Sequence, residues 1–414
     1  MSSLPEADAA ELGFDPKRLG EIGPAMQAYV DDRRVPNLVT LVARRGKVVH
    51  FEARGVLDFD TGAPVGKDSL FRMYSNTKPI AGVALSILYE RGLLTPDDPV
   101  SRFLPEYRHL RVQIPDTPMM TRRAKRQMTV RDLITNTTAL TNPGTMPSGY
   151  REQYKDALKT LGWIRRDEGS EVPLNRERVA ALAEVPLAAD PGDKFVYHMG
   201  YPILTAVLEE ASGQRADVFM RENIFEPLGM ESTDFYLPEG ALARYGASYS
   251  PQEVDGTVKL VAVDKAETSE KTVGPKQEFC VGGSSGGVLT TAGNYARFGQ
   301  MLLNGGELDG VRIIGRKTVD LMIGNHTGDM QIAMTGPGFS WGLGVATYHG
   351  RGRLAPLIRS VGTYGWGGAA GTTYFADPAE ELMGVCLTQV MNAGAMPRND
   401  YQDTFQRLVY QSLV

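Results

Sequence analysis

Strand-like runs lie at the two ends of this 414-residue chain, and helical patterns fill the stretch between them. Residues 38–45 and 47–55 are β-rich and flank Arg45-Gly46, which predicts a hairpin. Residues 341–348, 359–364, 372–376 and 382–389 read as further strands, and a terminal helix follows from Tyr401 to about Leu413. Between the two sets, residues 76–91, 130–134, 176–183, 201–211 and 216–224 carry helical periodicity punctuated by Pro and Gly. A mixed sheet made from both ends, with a helical region inserted, is the architecture that buries all these faces. That divides the chain into an α/β sheet domain, 1–92 with 281–414, and a mainly helical region, 93–280. Within the latter, the polar and weakly patterned stretch 251–280 reads as a long surface excursion.

Composition removes several alternatives. Hydrophobic residues at 42% and charged residues at 22% sit at globular values, which excludes disorder, collagen and coiled coil. The 44 basic and 49 acidic residues give a net charge of −5, so there is no overall basic footprint for nucleic acid. Cys280 and Cys386 cannot build a disulfide framework and read as small buried hydrophobes. The longest apolar stretch, 81–88, is far below the ~18 residues a membrane span needs. No secretory signal is visible at the start, so a soluble, cytoplasmic protein is expected. The five histidines show no metal-ligand spacing, and neither a metal nor another cofactor is expected. The basic cluster Arg122-Arg123-Ala124-Lys125-Arg126 reads as a solvated loop.

The chemistry concentrates around Ser75-Asn76-Thr77-Lys78-Pro79. Three residues apart at a helix start, Ser75 and Lys78 share one face, so the amine can approach the hydroxyl. A serine is a poor nucleophile until a base takes its proton, and a helix N-terminus favours the charge that then develops. Lysine can be that base only if its pKa falls from the usual ~10.4. Pro79 fits if it lies in the first turn, where its missing N–H is spare. A serine followed three residues later by a lysine arises by chance about once in a chain of this length, so company decides its meaning.

That company is Pro191-Gly192-Asp193-Lys194-Phe195-Val196-Tyr197-His198-Met199-Gly200, ahead of a helix, and later Tyr364-Gly365-Trp366-Gly367-Gly368-Ala369 between two expected strands. In this order the three segments resemble the serine β-lactamase and penicillin-binding-protein superfamily. The nearest branch is that of class C β-lactamase-like proteins, including family VIII carboxylesterases. The likeness extends through Thr129-Val130-Arg131-Asp132-Leu133, Gly286-Gly287-Val288-Leu289-Thr290-Thr291 and Phe339-Ser340-Trp341-Gly342. It implies a β-lactamase/DD-peptidase-like α/β fold: an antiparallel sheet flanked by helices, plus an inserted mainly helical region.

The resemblance also implies site roles. Ser75 would be the acylated nucleophile and Lys78 its proton acceptor, with Tyr197 shuttling the proton to the leaving group. Backbone N–H groups of Ser75 and Ala369 would form the oxyanion hole, the donor pair for an acyl transition state. Trp366, Gly367 and Gly368 would line the substrate in place of the family's Lys-Thr-Gly. Two departures bear on the substrate. Met199 stands where the family usually has an asparagine, and Trp366 stands where it has a lysine. Amide and carboxylate recognition both lose a partner, while an aromatic wall suits apolar acyl or alcohol groups.

Esters are therefore the expected small-molecule substrates. With the second lysine gone, Lys78 would have to supply most of the field that lowers the tyrosine pKa, and a mildly alkaline optimum is expected. Rivals with the same acylation step are an acyltransferase and an amidase, D-aminopeptidase or weak β-lactamase; a non-catalytic ligand-binding relative is a further one. Gly282-Gly283-Ser284-Ser285-Gly286 also matches the G-x-S-x-G pattern, with Asp320 and His349 as partners, but lacks the strand before and the helix after that the motif requires. The oligomeric state is left open by the sequence.

Overall fold

The computed structural model describes residues 3–115, 117, 120–140, 148–160, 175–197, 199–269, 287–332, 334–350 and 358–414. Seven strands form the main sheet: β1 (Asn37–Arg44), β2 (Lys47–Gly55), β3 (Phe339–Trp341), β4 (Ala346–Tyr348), β5 (Tyr364–Gly367), β6 (Thr373–Asp377) and β7 (Leu382–Leu387). Their order is β3-β4-β5-β6-β7-β1-β2, and every pairing is antiparallel. β1 docks on β7, Val39 opposite Leu387 and Arg44 opposite Leu382, so strands from the two chain ends lie side by side. Arg45 and Gly46, both at positive φ (50° and 77°), make the tight β1–β2 turn.

β1 is buried along its whole length, which its near-continuous apolar run anticipates. Successive side chains point to opposite faces. Val39, Leu41 and Ala43 therefore join one core, with the Lys78–Glu90 and Ala292–Leu303 helices. Leu38 and Val42 join the other, with the Ile22–Asp31 and Tyr401–Gln411 helices. A sheet covered by helices on both faces is the result. The helical middle packs through the first core, where the Gly200–Ser212 helix lies against Val130–Ile134. That approach needs a glycine, since a Cβ at Gly200 would sit 2.2 Å from the Leu133 carbonyl oxygen. No helix among the described residues is long and apolar enough to cross a membrane.

Three expectations need correction. The expected strand at 341–348 is two short strands, β3 and β4, broken at Gly342–Gly344 where the chain turns. The expected strand at 359–364 lies instead at Tyr364–Gly367, because Gly365 and Gly367 hide its β character while its ladder to β6 supplies it. The described part of the stretch expected as a surface excursion carries a mostly exposed hairpin, Ser248–Val254 with Thr257–Asp264, turning at Asp255-Gly256 with both φ positive; residues 270–280 lie outside the described residues. The basic cluster is not simply solvated. Arg122 forks onto Asp190 (2.9 and 2.6 Å) and Arg126 onto Asp132 (2.6 and 2.8 Å), both carboxylates being buried. Cys386 is buried as expected; Cys280 lies outside the described residues.

Candidate active site

The serine segment is positioned from three sides. Residues Tyr74–Thr77 form a 3₁₀ turn, and the Lys78–Glu90 α-helix starts directly after it with Pro79 in its first turn. Tyr74 adopts φ +45°, a sparsely populated region for a non-glycine residue, at the position before Ser75. The Asn76 amide donates to Thr372 Oγ1 (3.1 Å), Tyr295 OH donates to the Asn76 carbonyl (2.8 Å), and Val288 N–H donates to Thr77 Oγ1 (3.0 Å). Gly368 lies so close that a Cβ there would meet the Met73 carbonyl oxygen at 2.3 Å. The Trp366-Gly367-Gly368 strand end is thereby held against the serine turn.

Lys78 is fully buried, and its Nζ donates to Ser75 Oγ at 2.9 Å. Among the described residues no carboxylate forms an ion pair with it. Its Nζ instead lies 4.8 Å from the ring centroid of Tyr197 and 4.7 Å from that of Tyr201. Desolvation without a compensating anion disfavours the charged form, and burial pulls the Lys78 pKa down to about 7.

Tyr197 completes the group. Its hydroxyl is hydrogen-bonded to Ser75, and Trp366 Nε1 donates to it at 2.7 Å. Burial pushes its pKa well above the ordinary phenol value, and the Ser75 and Trp366 hydrogen bonds only partly offset that. The ring is wedged among Trp341 and Trp366, with centroids at 5.9 and 5.5 Å. The Ile134 carbonyl accepts from both Trp341 Nε1 (2.8 Å) and Tyr201 OH (2.9 Å), which fixes the aromatic walls around the amine. The tyrosine segment itself runs along 136–139: Gly192 N–H donates to the Thr137 carbonyl and Val196 N–H to that of Asn136.

Ser75, Tyr197, Trp366, Gly367, Gly368 and Ala369 all line one cleft of about 540 Å³. Met199 does not reach it: the side chain is buried in the main core at the start of the Gly200–Ser212 helix. His198 and Ser284 lie outside the described residues. The nominated partners of Ser284 do not meet, since Asp320 engages Lys317 and Arg316 while His349 bonds to Ser340. Sequence reading missed Tyr201 and Trp341. The spacing of Tyr201 from Tyr197 on the entering helix was a usable signal; Trp341 offered none.

The beta-lactamase family profile matches residues 24–408. The chain belongs to the beta-lactamase family. Among curated relatives, "Protein Rv1367c" of Mycobacterium tuberculosis (strain ATCC 25618 / H37Rv) is 30% identical over 367 residues, covering 85% of each chain. "Esterase EstB" of Burkholderia gladioli is 29% identical over 377 residues, 88% of each. Among solved structures, "EstCE1, a hydrolase with promiscuous acyltransferase activity" superposes with a TM-score of 0.76 at 24% identity, covering 95% of this chain and 99% of that one. This family member is a β-lactamase-like hydrolase with an α/β fold.

Proposed function

We propose that the protein cleaves carboxylic esters through an acyl-enzyme on Ser75. The observation that carries the reading is the 2.9 Å contact between Ser75 Oγ and a lysine amine buried without a carboxylate. A neutral Lys78 takes the Ser75 proton as Oγ bonds to the ester carbonyl carbon. The carbon–alkoxy bond then breaks, and Tyr197, bonded to Ser75, passes a proton to the departing alcohol oxygen. Water attacks the acyl carbon next, gives up its proton to the same pair, and the acid leaves with Oγ reprotonated. The Ser75 and Ala369 N–H groups hold the oxyanion; Ala369 sits in an exposed turn, and its N–H joins no backbone hydrogen bond among the described residues.

Esters are favoured over lactams by what faces the cleft. Trp366 puts an indole where the family's lysine cation would stand, and Phe339 and Met334 extend the apolar wall. With Met199 in the core, no side-chain amide is supplied from that position either. The esterase relative from Burkholderia gladioli supports the same reading.

A panel of p-nitrophenyl acyl esters, a chromogenic cephalosporin and a D-alanyl anilide tests it. Ester turnover should dominate, and Ser75→Ala should lower it by roughly 10⁶-fold. Preferential cephalosporin cleavage contradicts the substrate assignment. Added primary alcohol distinguishes acyl transfer, which would raise transesterified product at the expense of free acid.

A further inference from the structure

The cleft continues past Ser75 along β5 to Arg359, between Phe339 on one wall and Gln406 of the terminal helix on the other. Arg359 is half-buried, with its guanidinium 5.4 Å from the Phe339 ring centroid. Nη2 donates to Gln406 Oε1, whereas Nε is buried with no acceptor. Among the described residues no carboxylate lies within ion-pair distance of it. Asp403 faces the same cleft from farther away, and Asp377 is committed to Tyr410 OH (2.7 Å) and to the N–H of Ser360 (3.1 Å) and Ala379 (3.1 Å). A cation withdrawn from water and left without an anion is costly unless a ligand supplies the charge.

We propose that this end of the cleft binds an ionised carboxylate carried by the substrate, so that the preferred esters bear a second, charged carboxylate. The inference rests on the ester reading and deepens it. The cation absent beside the nucleophile, where Trp366 stands, is present farther along the same cleft. With Nη2 committed to Gln406 and Nε shielded, a carboxylate in the cleft is met by the guanidinium charge, which does not depend on pH in the working range, rather than by a two-point fork.

The full-length enzyme and its Arg359→Gln and Arg359→Lys variants are assayed on matched pairs. On the acyl side these are the p-nitrophenyl half-esters of adipate and suberate against p-nitrophenyl hexanoate and octanoate. On the alcohol side they are 4-acetoxybenzoate against phenyl acetate. In the wild type at least one charged ester should exceed its neutral match in kcat/KM by about tenfold or more, mainly through KM. Arg359→Gln should bring the ratio of charged- to neutral-ester kcat/KM down to about one, and Arg359→Lys should keep part of the advantage. If neutral-ester activity also falls in Arg359→Gln, the ratio within each matched pair decides: the charged-ester advantage must still be lost relative to the neutral ester.

Charged esters cleaved no better than neutral ones on either side overturn the proposal while leaving the ester reading intact. So does an advantage that survives Arg359→Gln. No turnover of any ester overturns both.

Discussion

An amine buried without a carboxylate is more costly charged than neutral, and at Lys78 this brings the pKa to about 7. The sequence suggested a different balance, in which a cationic Lys78 would draw the Tyr197 proton down. In the structure burial raises Tyr197, so the phenol stays protonated, and in the proposed mechanism the neutral Lys78 amine is the base at pH 7. The sign for activity follows. Below about pH 7 Lys78 holds its proton and cannot accept that of Ser75, so kcat/KM should fall about tenfold per pH unit towards acid. Above about 7 it should level off. A kcat/KM profile for p-nitrophenyl butyrate that is flat from about pH 5 to 9 would contradict this assignment of the base. That Ser75, Lys78, Tyr197 and Trp366 would lie together was legible because their order along the chain matched a known pattern. Met199 was misjudged as cleft-lining because a residue two positions after the tyrosine starts a helix there, and its side chain turns into the core.

Among the elements, the ion pairs around the tyrosine segment were invisible in the sequence. Arg122 lies 68 residues from Asp190, and nothing local announces that a cluster of arginines will meet a buried carboxylate. Asp190 also accepts the Lys125 N–H (2.8 Å), immediately before the turn that leads to Tyr197. Arg122 holds the Asp190 carboxyl far below the usual carboxylate range. Because the folded pKa is depressed, the stabilisation is complete above the unfolded value of about 3.9 and is lost as pH falls through the folded one. Asp190→Asn should therefore cost about 1–3 kcal/mol at pH 7 by chemical denaturation. The cost should shrink in acid; a loss that is the same at pH 7 and in strong acid would mean the carboxylate charge is not what acts. Local signals served better where a turn residue was decisive. Arg45-Gly46 marked its hairpin, whereas Asp255-Gly256 carried an equal signal inside a stretch whose polarity concealed it.

Across the whole molecule, the closure of β1 on β7 sets the shape, and the Asp15 N–H bond to the Ser412 carbonyl (2.7 Å) ties the termini as well. Strand runs at both ends of the sequence made such a sheet foreseeable, since neither set could bury both faces alone. The meeting of residues 75, 78, 197 and 366 was foreseeable only as an ordering. Distances such as 2.9 Å from Lys78 to Ser75 and 2.7 Å from Trp366 to Tyr197 come from helices packed on that sheet. The proposed reactivity of Ser75, which depends on these contacts, should therefore exist only in the folded chain.

Covalent labelling with a fluorophosphonate, read by intact mass and peptide mapping, tests this most directly. The native protein should gain one phosphonyl group on the peptide containing Ser75, and should gain none after Ser75→Ala or in guanidinium. A native protein that stays unlabelled, or carries the group on another serine, would contradict the account.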